Sequence, residues 1–267
     1  MPNATVNGVN LYYEEYGEGP PLVMVQGLGY SSRFWYKQIP ELEKDFRLII
    51  FDNRDVGKSE KVNGNYEIKD MTEDCKGLID HLGLQNVHLL GLSLGGYIAQ
   101  EFALSYPELV DKLVLVSTHY GGPEYLQATG DLWEEILDVE GLSLEEVYRK
   151  GFKYSVAEDF FAEEEDQIEK LVKMRLDEAQ PPDAFQRQFQ AGSNFDLQQK
   201  VKGIQAETLV LAGNEDRVVP LEFAQKLCDT IPSCKLKIVD GSGHLIHLEQ
   251  PAKLNSLILD FLEEDNV

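Results

Sequence analysis

Short apolar segments alternate with amphipathic ones along the first third of the chain. Leucine-rich or β-branched runs occupy residues 22–27, 47–52 and 86–93, and each is bounded by turn residues. Runs of this length are typical of strands that are buried on both faces of a parallel sheet. Between the last two runs, the apolar positions of residues 68–82 recur with the helical period, and Gly83 supplies a C-terminal stop. The pattern therefore predicts a β-α-β unit.

The same rhythm returns later in the chain. Apolar runs at residues 110–118, 206–216 and 234–241 predict three more strands, and amphipathic helices separate or follow them. Ahead of all these segments, residues 4–17 have the pattern of a β-hairpin that turns at Asn7-Gly8. Together these elements predict an α/β protein whose strands are mostly parallel.

Residues 119–195 interrupt the rhythm, because they carry helical signals and no convincing strand. Their helix-start signals are the capping-box pairs Ser143/Glu146 and Ser155/Glu158 and the dipeptide Pro181-Pro182. The segment holds 18 acidic and 7 basic residues, so its outer face must be well solvated. We therefore predict a core made of residues 1–118 and 196–267, and a helical insertion made of residues 119–195.

Composition limits the class of protein and its partners. The chain has 267 residues, of which 43% are hydrophobic, and its 47 acidic and 24 basic residues give a net charge of −23. The length and apolar content predict a globular protein with a full-sized core. The charge would repel nucleic acid and anionic lipid surfaces. No apolar run reaches the roughly 18 to 20 residues of a membrane span, and we expect no signal peptide at the N-terminus.

The three cysteines, Cys75, Cys228 and Cys234, form neither a CxxC motif nor a Cys/His metal-ligand spacing. We therefore expect ordinary buried thiols in a reduced, cytoplasmic setting, with neither a metal nor a cofactor. The oligomeric state is left open by the sequence.

One serine lies in a context that favours nucleophilic chemistry. Residues 91–95 match the pattern G-x-S-x-G, which follows a predicted strand directly and opens a predicted helix. A serine on so tight a turn has its hydroxyl held outward, and side chains at the flanking glycines would collide with the turn. Ser93 is therefore the candidate nucleophile.

A serine hydroxyl needs a base, and the base needs an acid that orients it. Asp216 follows the strand predicted at residues 206–216, and His244 follows the one at residues 234–241. Parallel strands deliver their C-terminal ends to the same edge of a sheet, so both side chains should converge on Ser93. Their neighbours Glu215 and His247 are the competing acid and base.

Five motifs resemble those of the α/β-hydrolase fold superfamily, and they follow the order found there. They are VQGLG at the oxyanion loop, FDNRDVGKS at the D-x-R-G-x-G-x-S position, GLSLGG at the elbow, GNEDRVVP at the acid turn and GSGHLIHLEQP around the histidine. The resemblance implies an eight-stranded, mostly parallel sheet with helices on both faces and a helical cap inserted after strand 6. Two residues depart from the pattern: Gln26 replaces a usual histidine, and Asp55 replaces a usual glycine.

The same resemblance assigns the oxyanion hole and suggests substrate contacts. Backbone amides suffice to stabilise an oxyanion, and those of Leu28 and Leu94 match the family positions. Aromatic residues after the oxyanion loop and residues that leave the sixth strand are candidate substrate contacts: Tyr30, Phe34, Trp35, His119 and Tyr120.

The function predicted from these residues is a serine hydrolase that cleaves a small carboxylic ester or lactone through an acyl-enzyme. C–C bond hydrolase and cofactor-free peroxidase activities resemble the same motif set. A non-catalytic small-molecule-binding protein on the same fold is a further alternative. A dinucleotide-binding interpretation of the glycines at residues 27–29, with Asp52 as a ribose ligand, lacks the third glycine and leaves Ser93 unexplained.

Overall fold

A computed structural model describes residues 2–264 of the chain. Its strands are β1 Asn3–Val6, β2 Val9–Tyr16, β3 Pro21–Val25, β4 Arg47–Phe51, β5 Val87–Leu92, β6 Val110–Val116, β7 Glu207–Gly213 and β8 Cys234–Val239. Within the described residues they form one eight-stranded sheet in the order β1-β2-β4-β3-β5-β6-β7-β8. The pairs β1/β2 and β2/β4 are antiparallel, and every other neighbouring pair is parallel. This arrangement confirms the predicted fold class.

Helices cover both faces of the sheet. They are α1 Ile39–Leu42, α2 Ile68–His81, α3 Leu94–Ser105, α4 Pro123–Leu137, α5 Leu144–Ser155, α6 Glu158–Glu163, α7 Glu165–Asp177, α8 Pro182–Ser193, α9 Leu221–Thr230, α10 Ile246–Glu249 and α11 Pro251–Glu263. Short 3₁₀ helices lie at Ser32–Trp35, Pro107–Leu109 and Val201–Gly203. No helix in the described range has the length and apolar content required to cross a bilayer.

Two hydrophobic clusters sandwich the sheet. Alternate residues of each central strand belong to different clusters: Val23 of β3 packs with α2, α3 and α9 on one face, whereas Leu22 packs with α1 and α11 on the other. Because successive side chains of a strand point to opposite faces, a strand covered by helices on both sides is apolar at every position. This is why the predicted strands carry unbroken apolar runs.

The N-terminal hairpin turns where the sequence predicts. Asn7 and Gly8 both have positive φ, 48° and 75°, and they join the antiparallel strands β1 and β2. A two-residue turn of this kind requires positive φ at both positions, which asparagine and glycine adopt most readily.

The helices α4 to α8 all lie between β6 and β7, and we call them the inserted helices. Gly122 N donates to Phe195 O at 2.9 Å, so the two ends of the insertion are held together. The capping box at Ser143 and Glu146 is confirmed. The one predicted at Ser155 is wrong, because Ser155 is the last residue of α5 and its carbonyl accepts a hydrogen bond from Leu245 N at 3.0 Å.

The expectation of free thiols is wrong for two of the three cysteines. Cys228 in α9 and Cys234 at the start of β8 form a disulfide, with their Cα atoms 5.3 Å apart. The short connection between α9 and β8 brings the two residues into the distance range in which a disulfide forms. Cys75 is a buried thiol, and burial raises its pKa.

Candidate active site

Ser93 lies on a strained turn between β5 and α3. Its φ and ψ are 54° and −119°, a conformation that non-glycine residues rarely adopt. Two hydrogen bonds hold the turn: Ser93 N donates to Val116 O at 2.9 Å, and Thr118 Oγ1 donates to Ser93 O at 2.8 Å. The strain is therefore fixed by contacts with β6 and the residues that follow it.

The flanking glycines are required by close approach of the backbone. A Cβ atom on Gly91 would lie 2.3 Å from Gly95 O, and one on Gly95 would lie 2.2 Å from Val25 O. Neither position has room for a side chain, which is the reason anticipated from the G-x-S-x-G pattern. The turn therefore brings α3 directly against the end of β3.

Asp216 and His244 meet beyond the C-terminal ends of β7 and β8. His244 Nδ1 lies 2.9 Å from Asp216 Oδ2, and both side chains are buried. Asp216 Oδ1 accepts the amide N–H groups of Val218 and Val219 at 2.9 and 2.8 Å. Since a carboxylate accepts, the imidazole proton that faces Asp216 is on Nδ1, and Nε2 is left as the basic nitrogen.

The competing acid and base have different environments. Glu215 is exposed, whereas the hydrogen bond to His244 is made by its buried neighbour Asp216. His247 is fully buried in α10 with its ring 5.3 Å from that of Trp35, and neither of its ring nitrogens has a hydrogen-bond partner among the described residues. Burial, aided by the nearby His244, lowers the pKa of His247 to about 3.

A cavity of about 270 Å³ joins Ser93 to the acid turn. Its lining includes both Ser93 and the two residues whose amides bind Asp216, Val218 and Val219. The inserted helices α4 and α8 supply much of the remaining wall: Leu126, Gly130, Trp133, Phe189, Gly192 and Ser193. Among the described residues that line this cavity, none is aspartate, glutamate, lysine or arginine.

The backbone amides of Leu28 and Leu94 lie at the cavity and have no protein acceptor within residues 2–264. Leu94 is the first residue of α3, where amide groups lack an intrahelical partner and the helix dipole favours negative charge. Leu28 lies on the loop after β3, next to Gly27, whose Cβ would be 3.1 Å from Ser93 Cβ. Both amides are thus available to an anionic oxygen near Ser93.

The inserted helices hold the loop that carries Leu28. Gln188 of α8 accepts the Gly29 amide proton on Oε1 at 2.8 Å, and it is fully buried. Arg175 of α7 donates to the Gly29 carbonyl and stacks over the ring of Tyr30 at 4.5 Å. Both backbone polar groups of Gly29, its N–H and its C=O, are therefore bound by residues of the inserted helices that lie far away in the sequence.

The predicted substrate contacts separate into two groups. His119 lines the cavity, whereas Tyr120 is buried in the hydrophobic core. Tyr30 and Phe34 pack with Phe152 in a cluster between the oxyanion loop and the inserted helices. Trp35 is fully buried on the other face of the sheet. The structure does not bring Tyr30, Phe34, Trp35 or Tyr120 to the lining of the cavity.

Four aromatic residues at the cavity are not among the substrate contacts predicted from the sequence: Tyr97, Tyr125, Trp133 and Phe189. Tyr97 lies one helical turn after Ser93, Tyr125 lies in the first turn of α4, and Trp133 lies two turns beyond it. The spacing of Tyr97 from Ser93 is a signal that the sequence does contain, because residues four apart share a helix face. The positions of Tyr125 and Trp133 depend on how α4 folds back over the sheet edge.

The departures from the family pattern have structural roles. Gln26 is buried, and its side-chain Oε1 accepts the Gly27 amide proton at 3.3 Å, while Asn53 Nδ2 donates to its backbone carbonyl at 3.0 Å. Asp55 has a φ of 68° and forms an ion pair with Arg187 of α8, so it also ties the core to the inserted helices. Asp52 accepts the backbone amides of Ser32 and Lys58, which engages both oxygens of the carboxylate within the fold.

The sheet order, the serine elbow and the acid and histidine at adjacent strand ends define an α/β-hydrolase architecture. Residues 20–251 match the family described as the alpha/beta hydrolase fold. The chain belongs to that family.

The relatives carry the names of different kinds of hydrolase. The chain is 31% identical to 2-hydroxy-6-oxononadienedioate/2-hydroxy-6-oxononatrienedioate hydrolase 1 of Pseudomonas putida, over 95% of this chain and 92% of that protein. It is 28% identical to the putative carbamate hydrolase RutD of Caulobacter sp. strain K31, over 98% of each chain. Among solved structures, a thermophilic esterase from Thermogutta terrifontis superposes with a TM-score of 0.85 at 28% identity, over 99% of both chains.

Proposed function

We propose that the protein is a serine hydrolase that cleaves a small carboxylic ester or lactone through Ser93, His244 and Asp216. Ser93 Oγ bonds to the substrate carbonyl carbon while its proton passes to Nε2 of His244. The C–O bond to the alcohol then breaks, and the departing oxygen takes that proton. Water repeats the two steps on the acyl-enzyme, which releases the acid and restores the Ser93 hydroxyl.

The observation that carries this proposal is a strained serine in a cavity that extends to Val218 and Val219, whose amides bind the Asp216 carboxylate that is hydrogen-bonded to His244. The Asp216 carboxylate fixes the tautomer of His244 and stabilises the imidazolium that forms during the reaction. Two unpaired backbone amides, at Leu28 and Leu94, supply the oxyanion hole in this mechanism. Removing one such donor in related chemistry costs about 2.7 to 4 kcal/mol in the transition state.

The cavity supports a small, uncharged acyl or alkyl group as the bound part of the substrate. Its volume of about 270 Å³ lies just below the range of about 300 to 1,000 Å³ that is usual for ligand pockets. Its lining offers aromatic and aliphatic contact but no formal charge, so a carboxylate placed there would lose its hydration without gaining a partner. In this proposal residues 119–195 form a cap that selects the substrate, while the reacting side chains come from the core.

A C–C bond hydrolase is the second candidate. The substrate named for the relative with 31% identity is an oxo-diacid, which contains no ester or lactone bond to hydrolyse. The name of that relative's substrate denotes a dianionic acid, whereas the cavity lining here has no cationic side chain among the described residues. The ester or lactone is therefore the better match to this cavity. A purely binding role on the same fold predicts no turnover of any ester.

Labelling with a small fluorophosphonate, followed by a panel of esters, thioesters, lactones and vinylogous 1,5-diketones, tests the proposal. We expect the adduct on Ser93, and we expect Ser93→Ala to lose about 10⁴- to 10⁶-fold in kcat on any ester turned over. A mass spectrum with the adduct on another residue would refute the assignment. Turnover of the diketones alone would favour the C–C hydrolase.

A further inference from the structure

The hydroxyl groups that line the cavity differ in whether they already donate a hydrogen bond to an acceptor within the protein. Three of them donate to backbone carbonyls inside the protein: Thr118 to Ser93, Ser193 to Phe189 and Tyr125 to Val218, at 2.8, 2.9 and 3.0 Å. The Tyr125 oxygen also accepts the Trp133 Nε1 proton at 3.1 Å. These three groups therefore have no proton left for a ligand.

The protonation of His119 follows from its two neighbours. The Gly121 amide donates to His119 Nδ1 at 3.0 Å, so that nitrogen is an acceptor and the ring proton is on Nε2. Nε2 lies 2.5 Å from Tyr97 Oη, so His119 donates to the tyrosine oxygen. Burial lowers the pKa of His119 to about 3, which keeps the ring neutral at physiological pH.

Tyr97 is thus left with a proton that it can donate. Its oxygen accepts from His119, and within residues 2–264 no protein atom accepts its own O–H proton. The ring is held by Phe195, stacked at 4.3 Å between centroids, and by the edge contact with His119 at 5.1 Å. Tyr97 also lies on α3, one turn after Ser93, so the hydroxyl group is fixed relative to the nucleophile.

We propose that Tyr97 determines specificity by donating a hydrogen bond to an oxygen on the acyl chain of the substrate, such as a keto or ether oxygen beyond the reacting carbonyl. The inference rests on the proposed function, because it takes Ser93 as the acylated residue. His119 acts through Tyr97, by fixing the direction of its proton. The preferred substrate is an oxygenated acyl ester or lactone, and a plain alkanoyl group leaves the donor unpaired.

The test compares p-nitrophenyl hexanoate with its 4-oxo and 5-oxo derivatives on the wild type, Tyr97→Phe and Tyr125→Phe. For each protein, the quantity measured is the ratio of kcat/KM for an oxo ester to that for hexanoate. Intrinsic differences in ester reactivity cancel when the ratios of two proteins are divided. Tyr125→Phe is the matched control, because it removes a cavity hydroxyl whose proton is engaged by Val218.

We expect the better of the two oxo ratios to fall about three- to tenfold in Tyr97→Phe, the usual worth of one hydrogen bond, and to stay within twofold in Tyr125→Phe. The rate on plain hexanoate is measured in the same variants, because phenylalanine also leaves the His119 Nε2 proton without its acceptor, and the ratio cancels an effect common to both esters. Equal ratios in wild type and Tyr97→Phe for both oxo esters would overturn the inference. So would an equal fall in Tyr125→Phe.

A binding experiment separates this inference from the proposed function. Trp133 lines the cavity, so ligand binding to the Ser93→Ala variant can be followed by tryptophan fluorescence with ethyl hexanoate and ethyl 4- and 5-oxohexanoate. Tighter binding of a keto ester that is lost on adding Tyr97→Phe supports the donor even if wild type hydrolyses none of the esters. Absence of the preference in both assays refutes the donor, whether or not Ser93 is acylated.

Discussion

Gln188→Leu tests whether the inserted helices hold the oxyanion loop in place. The substitution places an apolar side chain of similar size in α8 and removes the acceptor of the Gly29 amide, which lies 2.8 Å from Gln188 Oε1. Gln188 is fully buried, so water does not readily replace the lost oxygen. The peptide that loses its acceptor directly follows Leu28, whose amide is one of the two proposed oxyanion donors.

The size of the effect follows from two limits. A buried donor left unpaired costs about 1 to 3 kcal/mol, and the loop can recover part of this by moving. Complete loss of one oxyanion donor costs about 2.7 to 4 kcal/mol, which is the upper bound. At about 1.4 kcal/mol per tenfold change in rate, we expect kcat to fall about 10- to 100-fold. KM should stay within about threefold, because the donor acts mainly in the transition state.

The assay is steady-state hydrolysis of p-nitrophenyl acetate, with thermal unfolding to show that each variant is folded. Gln190→Leu is the matched control, since it makes the same change on the exposed side of the same helix. We expect its kcat to remain within twofold of wild type. A folded Gln188→Leu protein with unchanged kcat would refute the reasoning, and a raised KM at constant kcat would show instead that Gln188 acts through substrate binding.

Three further predictions concern the acid, the cavity wall and the buried histidines. Asp216→Asn should retain the fold and lose at least about 10³-fold in kcat, while Glu215→Gln stays active; the reverse pattern in ester kinetics would show that the acid was chosen wrongly. Trp133→Ala should change KM for an octanoyl ester more than for an acetyl ester, with fluorophosphonate labelling of the nucleophile unchanged; equal slowing of both esters and the label would place it in the catalytic apparatus. Burial lowers the pKa values of His119 and His247 from 6.5 to about 3, so below pH 6.5 the unfolded state binds more protons than the folded state. The free energy of unfolding should therefore fall as the pH falls from 6.5 towards 3, by at most about 1.4 kcal/mol per pH unit for each histidine. Urea unfolding at pH 7.5 and 5.0 checks this. His247→Phe should reduce the dependence of the unfolding free energy on pH.

Local sequence signals, namely apolar runs and turn residues, were sufficient to predict the strands of the sheet and the strand ends that carry Ser93, Asp216 and His244. The apolar runs predict the central strands because a strand covered on both faces needs few polar positions, and the observed β3 to β7 follow those runs. The edge strand β8 also lies where its run predicts, although most of its residues are at least partly exposed. The hairpin turn at Asn7-Gly8 and the tight approach around Gly91 and Gly95 follow from backbone sterics, which the residue types themselves report. The contact between His244 and Asp216 follows from parallel topology, since neighbouring strands end at one edge.

Other features depend on which parts of the chain pack against each other in the folded protein, and no local sequence pattern predicts them. The capping-box spacing at Ser155 is overridden by the hydrogen bond from Leu245, and the disulfide between Cys228 and Cys234 requires the turn that ends α9. Tyr30 and Trp35 follow the oxyanion loop in sequence, but packing turns them away from the cavity.

The sequence by itself determined the fold class, the position of Ser93 on its turn and the strand ends that carry Asp216 and His244. The tertiary structure alone decided that Gln188 accepts the Gly29 proton and that Tyr97 keeps a proton to donate. The physical reason is that strand burial and turn strain act over a few neighbouring residues, whereas a hydrogen-bond partner 159 residues away is set only when the inserted helices pack over the edge of the sheet.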